Sequence, residues 1–154
     1  YGFSKEKAEE AVEYFRDYYP EKGMFDAFVY PGMRECIEKM AGDGKKLVLL
    51  TSKPIFFASR ILQHFGLSDY FFMEIGPDLS EQSSDKTRLI EKALREGNFS
   101  KEDCLMVGDT KYDILAAKDV GIDSVAALYG YGEAEEISVA KFSIEKPLDL
   151  LSIV

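Results

Sequence analysis

No apolar run in this sequence approaches the roughly 20 residues that a helix needs to cross a bilayer, so a helical membrane span is excluded at the outset. Cysteine is scarce. Cys36 and Cys104 have neither metal-type spacing nor the look of a disulfide framework. Cys36 falls in step with Met33, Ile37 and Met40 on a helical stripe, and Cys104 opens an apolar strand, so both read as packed thiols in a reducing cytoplasm. Histidine is scarcer still: His64 sits alone beside Phe65 on a helix and reads as structural or exposed, which leaves a His-based nucleophile mechanism little support. Positive charge is also short. With 19 Lys and Arg against 28 Asp and Glu the formal net charge is −9, which argues against nucleic-acid backbones and acidic membrane surfaces as partners. A small phosphorylated ligand stays open, provided a cation or local donors neutralise it. The opening stretch "YGFSKEKAEEAVEYF" is neither a signal peptide nor an Arg-rich transit peptide, and it starts on Tyr1 instead of Met, so removal of an upstream segment is expected.

What is present is enough apolar material for a core: 46% of 154 residues, the size of one ordinary domain. Ser4 suits an N-cap, and Ala8, Ala11, Val12, Phe15 and Tyr19 recur at helical spacing, which predicts a helix over 4–19. From Pro31 the pattern alternates. Helices are expected over 32–42, 54–65, 85–96 and 112–119. Between and after them come the apolar runs "KLVLLTS", "DYFFMEIG", "DCLMVGD" and "DSVAALYG". Short segments near 133–139 and 147–152 flank a last candidate strand, "KFSIEK". Short, nearly all-apolar strands alternating with amphipathic helices indicate an α/β fold, a three-layer doubly wound parallel sheet. Ligands bind such folds at the carboxyl ends of strands. That rule singles out Thr51-Ser52, Gly76, Gly108-Asp109 and Tyr129-Gly130.

Asp109 would leave its strand at that edge, with Asp113 in the first turn of the next helix. Two carboxylates there suit a hard cation such as Mg²⁺. They equally suit a turn residue and an acid favoured by the helix dipole. Thr51 and Ser52 end a strand just before Pro54, which fits the first position of a helix, and hydroxyls with free N–H groups there can cradle phosphate or simply cap. Lys86 follows two candidate caps, Ser84 and Asp85, so its charge opposes the helix dipole at a cost of about 0.3–1 kcal/mol. A bound anion nearby would offset that cost.

In this order, the stretches "YPGMRECIEKMAGDGKKLVLLTSKP", "ILQHFGLSDYF", "SSDKTRLIEKAL", "MVGDTKYDILAAKDVGI" and "YGYG" resemble the haloacid dehalogenase-like hydrolase superfamily, in its phosphoglycolate-phosphatase-like branch. The resemblance covers about residues 30–132. It implies a Rossmann-like hydrolase core and Mg²⁺-dependent hydrolysis of small phosphomonoesters, phosphoglycolate or a nucleoside monophosphate among them, through an aspartyl-phosphate. By the same resemblance Thr51 holds the transferring phosphoryl group with Ser52 adding a contact. Lys86 steadies the negative charges, and Asp109 holds Mg²⁺ with Asp113 in support. "YGYG" resembles a loop that the branch keeps beside its active site.

One part of that pattern is missing. The family's nucleophile comes from a strand ending in Asp-x-Asp-Gly-Thr, and no such stretch exists here; "MFDAFVY", with Asp26 alone, is the nearest imitation. Residues 1–25 resemble instead the closing helix of the family's helical cap domain, which leaves 26–154 as a core without its first strand. In the family that strand lies mid-sheet, between those ending at Thr51 and Asp109. A truncated product, a processed fragment or part of a longer protein is therefore expected, and a stable isolated chain would need a swapped strand, a fragment partner or a rearranged sheet. Two alternatives stay open: a non-catalytic phosphate-binding or protein-interaction remnant, and a phosphosugar mutase of the same superfamily. The dehalogenase branch fits less well, because Gly-Asp-x-x-x-Asp is the metal-binding form of the last motif.

Overall fold

The computed structural model describes residues 2–81 and 85–154. A first helix, α1 (Lys5–Tyr18), is capped by Ser4, whose hydroxyl accepts from the Lys7 N–H, and none of its residues is buried. After a 3₁₀ turn at Gly23–Phe25 the alternating part begins. It runs α2 (Met33–Gly42), β1 (Leu47–Leu50), α3 (Ile55–His64), β2 (Phe71–Ile75), α4 (Lys86–Gly97), β3 (Leu105–Gly108), α5 (Lys111–Val120), β4 (Asp123–Ala127), α6 (Ala134–Ile137) and β5 (Phe142–Ile144). A 3₁₀ turn at Pro147–Ser152 closes the chain.

Every strand pairing is parallel, and the side chains of β1 show why the fold has three layers. Leu47 and Leu49 pack with Ile37 of α2 and Leu62 of α3. Val48 and Leu50 point the other way, onto Leu89 and Ala93 of α4. In β4 the same period of two sends Val125 and Ala127 toward Cys36 and Met40, and Ala126 toward Ile114 of α5 and Ile137 of α6. Cys36 is buried and Cys104 half-buried, both as free thiols whose pKa burial pushes up.

The sheet differs from the single one the pattern suggested. Among the described residues it is divided: β1 pairs only with β2, while β3, β4 and β5 pair in that order. Helices hold the halves together. The core that α2 forms with β4 also touches Leu47 of β1, and the cluster of Ile90, Met106, Ala116 and Ala117 also takes in Leu50. A seam therefore runs between β1 and β3, each with its second edge unpaired. Its openness shows in the side chains: all four residues of β1 are only half-buried and Val107 of β3 is exposed, whereas Val125 of β4 is fully buried. The segment "MFDAFVY" does not fill it. Asp26 is exposed, and residues 26–30 form no strand.

Candidate active site

At the carboxyl ends of β1 and β3 the backbone turns into helices, and a hollow of about 750 Å³ opens there. Thr51, Ser52, Lys86, Asp109 and Asp113 all line it, although they come from three separate parts of the chain. His64 does not line it; its ring packs 4.5 Å from that of Phe25 and 5.0 Å from that of Phe65.

Thr51 extends β1 by one bond, its N–H donating to the Ile75 carbonyl at 2.9 Å. Its hydroxyl then accepts from the Lys53 N–H at 3.1 Å, which tightens the turn into α3. Pro54 stands one place earlier than expected, at the N-cap, with Ile55 as the first helical residue. Asp85 caps α4 by accepting from the Thr87 N–H at 3.0 Å. Ser84, the other expected cap, lies outside the described residues.

Lys86 and Asp113 form the tightest polar element of the hollow. The Lys86 ammonium donates to Asp113 Oδ1 at 2.7 Å, and the two side chains are only 17% and 8% exposed. Asp113 Oδ2 accepts from the N–H and the hydroxyl of Thr110, at 3.2 and 2.8 Å. So both oxygens of Asp113, the acid expected to support a cation, are engaged, one by a lysine and the other by a helix start. The cost of a lysine in the first turn of α4 is offset by this carboxylate, not by a ligand alone. Thr110-x-x-Asp113 is also a helix-start signature that the sequence carries openly, in line with the alternative reading of Asp113 as an acid favoured by the helix dipole. Lys53 was missed, because nothing local distinguishes it from a surface lysine.

Asp109 is held from the other side. Its Oδ2 accepts from the Tyr131 N–H at 2.9 Å, while Oδ1 has no hydrogen-bond partner among the described residues. The loop from Tyr129 to Gly132 can press this close only because of its glycines. A β-carbon on Gly132 would fall on the Asp109 carbonyl oxygen, and one on Gly130 would fall on the Asp109 side chain. Burial against the core that holds Cys36 pushes the Tyr129 phenol at the base of this loop up to about 12, with Cys36 and Asp109 adding to the shift. Gly132→Ala is expected to lift the loop off Asp109. Hydrogen exchange at the Tyr131 amide should then quicken at least about tenfold, as one bond to a carboxylate, worth roughly 1.5 kcal/mol or more, is lost; an unchanged rate would mean that the loop yields without releasing the acid.

The charges of the hollow set a condition on its ligand. Asp85, Asp109, Asp113 and Asp119 face only Lys53 and Lys86 there, and Lys86 is already paired. A phosphate dianion would meet a net negative wall unless a cation came with it. Among the described residues no group of three or more His, Cys, Asp or Glu side chains converges as a ready-made metal cage. The open Asp109 Oδ1 offers a single anionic oxygen. That donor set fits Mg²⁺, which keeps several waters and is commonly shared between one or two carboxylates and a substrate phosphate.

Comparison with known proteins shows the family. A family model described as "Hydrolase: haloacid dehalogenase-like hydrolase" matches residues 2–121. The chain is 34% identical over 137 residues to a 5'-nucleotidase of Pseudomonas aeruginosa, covering 89% of this chain and 62% of that protein. It is 33% identical over 153 residues to a phosphoglycolate phosphatase of Vibrio vulnificus, covering 98% of this chain and 67% of that one. A crystal structure of a candidate phosphatase from Clostridium difficile superposes with a TM-score of 0.94 at 40% identity, over 98% of this chain and 72% of that chain. The chain thus spans about two thirds of the length of the curated relatives it matches. No described helix is long and apolar enough to cross a membrane.

Proposed function

The chain belongs to the haloacid dehalogenase-like hydrolase family, on its phosphoglycolate-phosphatase-like branch, and from that premise we propose that it forms the larger part of a Mg²⁺-dependent phosphomonoester hydrolase of small metabolites. The observation that carries the proposal is the meeting of Thr51, Lys86 and Asp109, from three different strand ends and helix starts, in one hollow. In this reading the Thr51 hydroxyl and the N–H groups at the start of α3 orient the phosphoryl group. Lys86, fixed by Asp113, meets the charge that builds on the phosphoryl oxygens. Asp113 acts as a positioning residue. Asp109 Oδ1 would hold Mg²⁺, which when bound neutralises phosphate charge in a hollow otherwise rich in acids.

The nucleophile belongs to an extended strand seated in the seam between β1 and β3, whether supplied by the same polypeptide or by a partner. Its carboxylate would attack phosphorus as the alcohol leaves, and water would then hydrolyse the aspartyl-phosphate. Residues 1–25 belong, in this proposal, to a cap over the site, and a reducing cytoplasm is the location that two free thiols favour. Without the strand the same hollow remains a phosphate-binding module.

Binding tests the assignment without requiring turnover. Titrating the chain with Mg²⁺ and inorganic phosphate together, followed by calorimetry, should show that each raises the affinity for the other. Asp109→Asn should weaken Mg²⁺ by about tenfold or more, the effect of losing a charged hydrogen-bonding ligand of roughly 1.5–3 kcal/mol. Lys86→Met should weaken phosphate to a similar degree. Independent binding of the two ions, untouched by either substitution, would sink the proposal.

A further inference from the structure

The Asp109 carboxylate is held by one backbone N–H, that of Tyr131, at 2.9 Å. This anchor is only as firm as the loop that carries it, and the loop has little support of its own. No helix or strand covers residues 128–133, and Tyr131 is 90% exposed. Two backbone bonds fix the start of the loop: Leu128 N–H donates to the Ile144 carbonyl at 2.9 Å, and Gly130 N–H to the Ala127 carbonyl at 3.1 Å. Among the described residues no backbone carbonyl accepts from the N–H of Tyr131 or Gly132.

Side chains supply what the backbone does not. Tyr129 packs against the core cluster of Cys36 and Val125, and its ring also meets that of Tyr30 edge-on, with centroids 5.1 Å apart and planes at 64°. That is a favoured geometry for two aromatic rings. Tyr30 is fixed from a different part of the chain. Its carbonyl accepts from the Met33 N–H at 3.0 Å in the turn that opens α2, and α2 is anchored in the core by Cys36, Ile37 and Met40. Burial pushes the Tyr30 phenol up, with Tyr131 and the Asp109 charge adding to the shift, so Tyr30 lies within reach of both. Any bond between the Tyr30 and Tyr131 hydroxyls is made in water and contributes little, which leaves the ring as the brace.

We propose that Tyr30 is a positioning residue for the acid that would hold the cation: its ring, carried by the start of α2, braces Tyr129 and so keeps the Tyr131 amide on Asp109 Oδ2. Oδ1 then stays available to a metal. Tyr129 already has the core behind it, so the second ring fixes the direction of the loop more than it stabilises the fold. The inference rests on the reading of Asp109 as the Mg²⁺ ligand and adds a residue that acts on it through two others.

The test uses hydrogen exchange in the metal-free chain together with calorimetric titration of Mg²⁺ in the presence of inorganic phosphate. Tyr30→Ala should quicken exchange at the Tyr131 amide by about tenfold and leave the Val125 and Ala126 amides of β4 as slow as before. It should weaken Mg²⁺ by about tenfold, the lower end of what an outer partner of a metal ligand contributes. Tyr30→Phe keeps the ring and should restore both readings. Tyr30→Leu keeps apolar bulk without a ring and should resemble Tyr30→Ala, so the result does not hang on one substitution being tolerated. Unchanged exchange at Tyr131 in both the Ala and Leu variants overturns the brace. So does a Phe variant as fast as the Ala one, or a quickening that spreads through β4. In those cases the unaltered chain still binds Mg²⁺ through Asp109. Failure of the unaltered chain to bind Mg²⁺ at all overturns the metal reading itself, and the role of Tyr30 with it.

Discussion

Supplying the chain with an extended segment ending in Asp-x-Asp-Gly-Thr, fused or added in trans, should give Mg²⁺-dependent turnover on the order of 1 s⁻¹ or more on a generic aryl phosphate, where the unsupplemented chain is expected to show none. The seam is the reason. β1 is bonded along one edge to β2, with Leu47 opposite Phe71 and Leu50 opposite Ile75, and β3 along one edge to β4, with Leu105 opposite Asp123. Their other edges face the gap, yet Leu50 shares a cluster with Met106, and Leu47 packs against the core that Leu105 also joins, so the helices already hold the two halves in place. A strand inserted there would bond on both sides, each bond contributing about 0.5–1.5 kcal/mol, and would remove two exposed edges that invite aggregation. Its carboxyl end would emerge between Thr51 and Asp109. An acid there can approach phosphorus to about 3–3.5 Å, the separation that in-line attack needs. Asp26 cannot take that role from an exposed stretch without strand structure. A segment with Asn at the first Asp should still raise the thermal midpoint and restore no turnover, which separates filling the seam from supplying the nucleophile. Metal-dependent turnover by the unsupplemented chain, lost in Asp26→Asn, would show that the nucleophile lies elsewhere.

The alternation of helices and strands was legible because each element carries its own period. The two faces of β1 and β4 follow directly from side-chain alternation, and the helix caps Ser4 and Asp85 stand where small polar residues precede an apolar stripe. Boundaries were less legible. Asp69 and Tyr70 were expected to begin β2, but Ser68–Tyr70 turns as a 3₁₀ segment before the strand starts at Phe71. The strand ends that bear Thr51 and Asp109 could be placed at one edge, since parallel strands carry their carboxyl ends together. What pairs with what could not be read so closely. Lys86 and Asp113 are 27 positions apart, and no local rule says that the lysine opening one helix will meet the acid opening the next. The same holds for the first helix. Phe15 and Tyr19 fit a helical core stripe in the sequence, and only the packing of α1 shows that Phe15 stays in solvent. Division of the sheet was legible solely through the resemblance that predicted a missing central strand, because every strand present has an ordinary apolar pattern.

The Lys86–Asp113 pair should also dominate the stability of the site, with Asp113→Ala costing about 3–5 kcal/mol in urea unfolding, as expected for removal of one member of a buried pair. Three losses act together. The Lys86 ammonium, on a side chain only 17% exposed, would be left uncompensated at the start of α4, where the helix dipole also opposes it. Thr110 would lose the carboxylate that accepts from its N–H and its hydroxyl, a capping contribution of about 1 kcal/mol. Space would open behind Gly108, where an added β-carbon would collide with the Asp113 side chain. Asp113→Asn keeps an acceptor for Thr110 and removes only the charge, so its cost should be smaller. Lys86→Met should cost less again, about 1–2 kcal/mol, because Asp113 would keep its two bonds to Thr110 and its favourable place at the start of α5. The double variant Asp113→Ala, Lys86→Met then decides between pairing and packing. If the pair matters through charge, removing the stranded lysine should recover about 2 kcal/mol of the Asp113→Ala loss, a coupling within the range found for residues in direct contact. If the double variant is as unstable as the sum of the two single ones, Asp113 supports the site by packing and capping alone. In that case Lys86 is free to move toward a phosphate without releasing anything.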